Sequence, residues 1–250
     1  MKNKTILFYL FIFIITQIII ILIIIILIMR KVICMYSDET IKIYSELTEK
    51  INRAYANETC CDFHIVKQPY FKNRHPAWER VPMIIDLLKK DYEYVIYIDA
   101  DAFFRLNNDH ILLDKIIKKY KNKDIIFSQD ISQLFNTGFM IIKNTRFARN
   151  FFWKLMINQD FKPKYKEKTW EQDCTIQLYN ENYLGVKEKS IILDYGILQT
   201  YDEKDNLRSL IVHYEKRTTK QRFEKIISAY KDFNDQGYLR LSEITQVFYV

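Results

Sequence analysis

The chain has 250 residues, 49% of them hydrophobic, and a formal net charge of +7. That is enough apolar material for one sizeable core, or for one domain and an anchor. The cysteines at 34, 60, 61 and 174 lack metal-ligand spacing, which excludes a zinc site. No nucleic-acid motif accompanies the basic runs "KIIKKYKNK" (115–123) and "FKPKYKEK" (161–168), which read as solvated faces.

From Thr5 to Met29 the chain carries no charge. As a helix this segment is about 37 Å long, against a hydrocarbon core of about 30 Å, so a membrane span is expected. Arg30 and Lys31 follow it where a cleavable signal would place small residues. Lys2, Lys4 and the terminal amine favour a cytoplasmic N-terminus, predicting a retained type II anchor with the body on the far side. A lumenal body would permit one disulfide without requiring it.

Beyond the anchor, strand and helix patterns alternate. "KVICMYS" (31–37) reads as a strand and Asp38 to Ala56 as a helix, with apolar residues at Ile41, Tyr44, Leu47, Ile51 and Tyr55. "DFHIVKQ" (62–68) is a second strand, Ala77 to Lys90 a helix with Pro82 near its start, and Val95 to Ile98 a third strand. A helix near Asp109 to Tyr120 precedes the strands "DIIFSQ" and Asn136 to Asn144, then a helix from Thr145 to Asn158. Thr169 and Gln172 have the spacing of a capping box opening the helix "WEQDCTIQLYNENY". Short strands follow at Ile191 to Leu193 and Leu210 to His213. The alternation predicts an α/β fold with a mostly parallel sheet flanked by helices.

The chemistry concentrates in "YVIYIDADAFF" (94–104), where an apolar strand runs into Asp99 and Asp101. Ligands of open parallel sheets bind at the carboxyl ends of strands, and residues two apart in extended chain project to one side. Both carboxylates then face one pocket, where a hard divalent cation would hold them against a phosphate group. A lone D-x-D also fits a strand-end turn or a phosphatase of the haloacid dehalogenase type. The phosphatase wants a later acidic pair for magnesium, and no Asp-Asp pair occurs.

"NRAYANETCCDFHIV", "HPAWERVPMIIDLL", "YVIYIDADAFF", "NTGFMIIKN", "WEQDCTIQLY" and "IVHYEK" occur in an order that resembles glycosyltransferase family 34, over roughly residues 31–220. The resemblance implies a GT-A-type nucleotide-diphospho-sugar transferase fold and retaining transfer from a UDP- or GDP-linked sugar to a glycan acceptor. The expected division is an anchor (1–30), a transferase domain (31–220) and a helical tail (221–250), in a Golgi- or ER-type membrane. Mn2+, with Mg2+ as the alternative, falls to Asp99, Asp101 and His213. Arg80, Asn136, Lys216 and Ser37, with Asp99, fall to the donor, Lys216 and Arg217 facing its diphosphate. Glu171, Gln172 and Asp173 match the acceptor-side motif, Gln172 and Asp173 expected to position the sugar. Phe103, Phe104 and Trp170 are candidates for stacking on an acceptor. No glycine follows His213 in "HYEKR", where the family carries one, so a non-catalytic sugar-nucleotide binder is the alternative.

The last motif, "DFNDQGYLRLSE" (232–243), has the spacing of a calcium loop. Gln236 at the fifth position lowers its ligand charge and no second hand accompanies it, so a polar turn is expected.

Overall fold

The computed structural model describes residues 11–17, 30–106, 111–157, 170–202, 204 and 208–239. The chain divides into two units, Met1–Arg30 and Lys31–Val250. In the first, residues 11–17 are helical. The rest of the predicted span lies outside the described residues, among which no helix is long and apolar enough to cross a membrane.

The second unit is built on a six-stranded sheet of order β2-β1-β3-β6-β5-β7, from strands β1 (Lys31–Tyr36), β2 (Asp62–Val66), β3 (Tyr94–Ile98), β5 (Ile125–Ser128), β6 (Asn136–Lys143) and β7 (Ser190–Leu193). Parallel pairing joins β1 to β2 and β3, and β5 to β7. β6 runs against both neighbours. The sheet is therefore mixed, with one reversed strand near its middle, where the sequence pattern predicts a mostly parallel one. Period and hydrophobicity give no strand direction, and "NTGFMIIK" would serve either way.

The helices are α1 (Lys42–Glu58), α2 (Arg80–Leu88), α3 (Leu112–Lys119), α4 (Arg146–Ile157), α5 (Glu171–Asn180), the short α6 (Val186–Lys189) and α7 (Thr219–Asp235). One sheet face, carrying Val32, Cys34, Val95, Tyr97, Met140 and Ile142, shares a core with α2, α4 and α5 through Val81, Ile84, Phe151, Phe152 and Leu178. The alternate residues, Ile33, Met35, Ile96, Ile98 and Ile141, are also buried, so both sheet faces are covered and the strands read as continuous apolar runs.

A second sheet, of order β4-β9-β8, is formed by Ala102–Phe104, Ile211–His213 and Gln199–Thr200. Strand β4 is the unforeseen continuation of the D-A-D turn. Phe103 and Phe104, candidates for sugar stacking, are core residues: Phe104 stacks on Tyr55 and Phe103 meets Phe233 of α7 edge-on. The four cysteines are free thiols, three of them buried. Of the stretch with calcium-loop spacing, Asp232 and Asn234 lie within α7, which runs through Asp235, and the expected turn falls at residues 236–239; Glu243 lies outside the described residues.

Candidate active site

The site forms where the end of β3, the start of β6 and the end of β9 meet. Antiparallel register sets Ile98 opposite Phe139 and Ala102 opposite His213. The Asp99 amide donates to the Gly138 carbonyl at 2.8 Å and the Tyr214 amide to the Asp101 carbonyl at 3.0 Å. From below, α1 holds the D-A-D backbone with two side chains one helical turn apart. Thr48 donates to the Ala100 carbonyl (2.7 Å), and Asn52 donates to that of Ala102 (3.1 Å) while accepting from the Phe104 amide (3.0 Å).

Asp99 and Asp101 converge, but not by strand alternation. The chain turns between them, closed by the Ala102 amide on the Asp99 carbonyl at 3.0 Å. His213 Nε2 lies 3.6 Å from Asp99 Oδ2 and 3.2 Å from Asp101 Oδ1. One ligand atom from each of the three residues fits within 4.8 Å of the others. The second ring nitrogen, Nδ1, lies 3.2 Å from Gln199 Oε1, an acceptor, which fixes the proton on Nδ1 in the neutral ring and leaves the Nε2 lone pair facing the carboxylates. This oxygen, oxygen, nitrogen set suits manganese or magnesium better than a soft metal. Gly138 completes the cradle: a Cβ there would come closer than 3.0 Å to His213, Asp99 and Asn136.

The charges are matched in pairs. Burial would raise the Asp101 carboxyl, but His213 and Arg222 outweigh it and bring it down to about 2. Burial opposes the imidazolium of His213, and Asp101 with Asp99 outweighs that in turn, raising it. Asp101 Oδ2 meets Arg222 Nε at 2.7 Å, while Asp99 Oδ1 meets Arg80 Nη2 at 3.0 Å and accepts from the Tyr97 hydroxyl at 2.5 Å.

Arg80 is the hub of the second half of the site. It is 7% exposed, and every nitrogen is occupied: Nε by the Ala77 carbonyl (3.0 Å) and Glu171 Oε2 (3.4 Å), Nη1 by Thr137 Oγ1 (2.9 Å), Nη2 by Asp99. Burial opposes its charge, but Asp99 and Glu171 keep the guanidinium protonated. Glu171 is fully enclosed, and burial pushes its carboxyl up to about 7 despite Arg80. The Gln172 carbonyl oxygen accepts from the Thr137 amide (2.9 Å) and hydroxyl (3.1 Å), and its amide donates to Gln133 (2.9 Å). Gln172 is thereby drawn away from capping α5, whose N-cap is Trp170 with no side-chain cap; Thr169 lies outside the described residues. Gln172, Asp173, Gln133 and Trp170 line one pocket.

A third cluster surrounds Asn136. Its amide donates to Glu215 at 2.6 Å and to Asp130 at 3.5 Å, and its carbonyl accepts from Gly138. Lys216 reaches Ser132 Oγ (2.5 Å) and Glu215 (3.1 Å). Its φ of +56° is a left-handed conformation that glycine adopts freely.

Residues 62–222 match the family model described as nucleotide-diphospho-sugar transferase. The chain belongs to that family. The transferase shares its fold with a glycosyltransferase involved in glycosylation of the major capsid of the virus PBCV-1. That likeness has a TM-score of 0.63 at 15% identity and covers 80% of this chain and 99% of that one. It is also similar to the glycosyltransferase GlyE of Streptococcus pneumoniae TIGR4, with a TM-score of 0.51 at 13% identity, over 84% of this chain and 64% of that one. No curated protein matches the chain. The family makes this chain a glycosyltransferase.

The fold of the transferase brings together Asp99, Asp101 and His213, and around them Arg80, Asn136, Glu171 and Gln172. Asp173 is exposed at the pocket with Trp170, whose ring stacks on His75 at 4.7 Å. Ser37 turns its hydroxyl into α1, 2.6 Å from Ser45. Arg217 is held by the Tyr201 carbonyl and Asp202. Sequence reasoning missed Arg222, Tyr97, Thr137, Gln199 and the acids Asp130 and Glu215. For Tyr97 a signal existed, since it stands two residues before Asp99 on the same strand.

Proposed function

We propose that this glycosyltransferase moves a hexose or pentose from a UDP- or GDP-linked donor to a glycan hydroxyl, with retention at the anomeric carbon and with Mn2+, or Mg2+, at Asp99, Asp101 and His213. The single observation behind this reading is the convergence of those three side chains within 4.8 Å. The order of motifs that resembles glycosyltransferase family 34 supports the retaining outcome. The apolar segment Thr5–Met29 would tether the enzyme as a type II protein in a Golgi- or ER-type membrane.

When bound, the cation would supply positive charge against the donor's diphosphate. The bond from the anomeric carbon to the diphosphate oxygen breaks with its electron pair on the diphosphate. The acceptor hydroxyl oxygen forms the new bond on the same face and passes its proton to the departing diphosphate oxygen. Gln172, its carboxamide fixed by Thr137 and Gln133, gives the pocket a rigid wall that positions the sugar. Asp173 adds a carboxylate at the same pocket, and the 48% exposed ring of Trp170 offers an apolar face to the acceptor. Asn136, bonded to Glu215, Asp130 and Gly138, holds the loop at the donor side, while Arg80 and Glu171 act beneath the pocket by holding Asp99 and α5 in place.

Thermal unfolding with UDP or GDP, each with manganese, magnesium or chelator, tests the reading. Ligand at 100 times its dissociation constant adds about 2.7 kcal/mol. One nucleotide is expected to stabilise only with metal, and Asp101→Asn to lose the shift. A shift of equal size in chelator, or one retained by Asp101→Asn, overturns the metal site.

A further inference from the structure

The sequence offers Lys216 and Arg217 as cations for the donor diphosphate, but both are engaged elsewhere. Lys216 lies among Ser132, Glu215 and Asp130, and Arg217 is bound to the Tyr201 carbonyl and Asp202. Two other cations touch the proposed metal ligands: Arg80 at Asp99, with every nitrogen occupied, and Arg222 at Asp101. Arg222 stands in the second turn of α7, whose start is fixed by a reciprocal capping box. The Gln221 amide donates to Thr218 Oγ1 at 3.2 Å, and the Thr218 amide to Gln221 Oε1 at 3.0 Å.

One nitrogen of Arg222 does all of its bonding within the protein. Nε lies 2.7 Å from Asp101 Oδ2 and donates to the Tyr214 carbonyl at 3.1 Å, and the guanidinium faces the Tyr44 ring at 6.0 Å. Among the described residues nothing holds Nη1 or Nη2, and the side chain is 23% exposed. The two contacts of Nε orient the plane of the guanidinium, and its terminal donors remain available. A planar pair of donors held in orientation is suited to two phosphate oxygens, and the cost of ordering the side chain is met before the ligand arrives.

We propose that Arg222 is the residue that binds the donor diphosphate in this enzyme, through Nη1 and Nη2, while its Nε holds Asp101. This rests on the metal-dependent donor reading above: a diphosphate sharing a cation with Asp101 lies against the guanidinium that touches the same carboxylate. Lys216 then serves the loop of Asp130 and Ser132, and Arg217 the segment at Asp202.

Calorimetric titration of the full chain with inorganic pyrophosphate and Mn2+, and with UDP, GDP and their monophosphates, tests the assignment without knowledge of the sugar. Arg222→Gln is expected to weaken manganese-pyrophosphate and nucleoside diphosphate binding by about 10- to 100-fold, as for loss of hydrogen bonds to a charged group, and to leave the monophosphates within about threefold. Arg222→Lys keeps the charge beside Asp101 and loses the fork, so a smaller loss of about tenfold is expected. If both variants bind manganese-pyrophosphate as tightly as the unaltered chain while Asp101→Asn does not, the role of Arg222 is overturned and the metal reading stands. If the unaltered chain binds neither pyrophosphate nor a nucleoside diphosphate, both are overturned. Equal loss of mono- and diphosphate affinity in folded Arg222→Gln would make the arginine structural only.

Discussion

Asp99 and Asp101 each give one oxygen to an arginine and turn the other toward His213, yet the two arginines differ in kind. Arg80, 7% exposed, spends every nitrogen on the protein, and loss of its charge would strand Asp99 and the enclosed Glu171. Arg222, 23% exposed, uses one nitrogen and, among the described residues, keeps the other two free. The same ion pair is thus architecture in one place and an open contact in the other. What separates them is how many donors the fold has already consumed.

The comparison breaks most readily at Arg80. Arg80→Met removes the shared partner of half-buried Asp99 and buried Glu171 and is expected to cost about 3–5 kcal/mol, read from urea unfolding. Preserved stability in that variant would mean that the buried acids have another counter-charge. Gly138→Ala comes next. Its methyl would displace His213 and Asp99 together, so nucleotide binding with manganese should disappear while the fold remains, as calorimetry and circular dichroism would show.

Glu171 supplies a pH signature. Its folded pKa, about 7, lies above the ordinary value of 4.5, so the folded protein binds more protons than the unfolded chain between those values. Stability from this group is present in full below pH 4.5 and is lost as pH rises through 7; Glu171→Gln should flatten that decline, and an unchanged slope would place the carboxyl in its charged form. The smallest effect belongs to Arg222→Gln, with about 1 kcal/mol or less of stability expected, because the guanidinium is partly solvated and buried Asp101 keeps His213. A loss as large as that of Arg80→Met would erase the distinction between the two.

The sequence made the corner of Asp99, Asp101 and His213 legible and left its support hidden. Asp99, Asp101 and His213 each stand at the end of an apolar run, a local pattern that survives without tertiary knowledge. The direction of β6 was not legible, nor was the turn that replaces strand alternation between the aspartates. Arg222 sits nine residues beyond His213 in what reads as an ordinary helix, and only the pairing of β4 with β9 brings it to Asp101. Glu171 shows the opposite failure. Its first-turn position fits a residue facing a sugar or the helix dipole, whereas burial turns it inward to Arg80.

The reversed strand β6 also governs how such a site can change over time. Because β6 runs backward, the loop entering it, residues 129–135, overhangs the pocket; in a wholly parallel sheet it would reach the opposite edge. It carries Asp130, Ser132 and Gln133, each bonded to a residue of the site. Insertions or substitutions in that loop can reshape the rim while the registers fixing Asp99 and His213 stay as they are. Inheritance of the framework and diversification of the rim are thereby assigned to separate stretches of the chain, so that a lineage can acquire a new acceptor without rebuilding the corner of Asp99, Asp101 and His213.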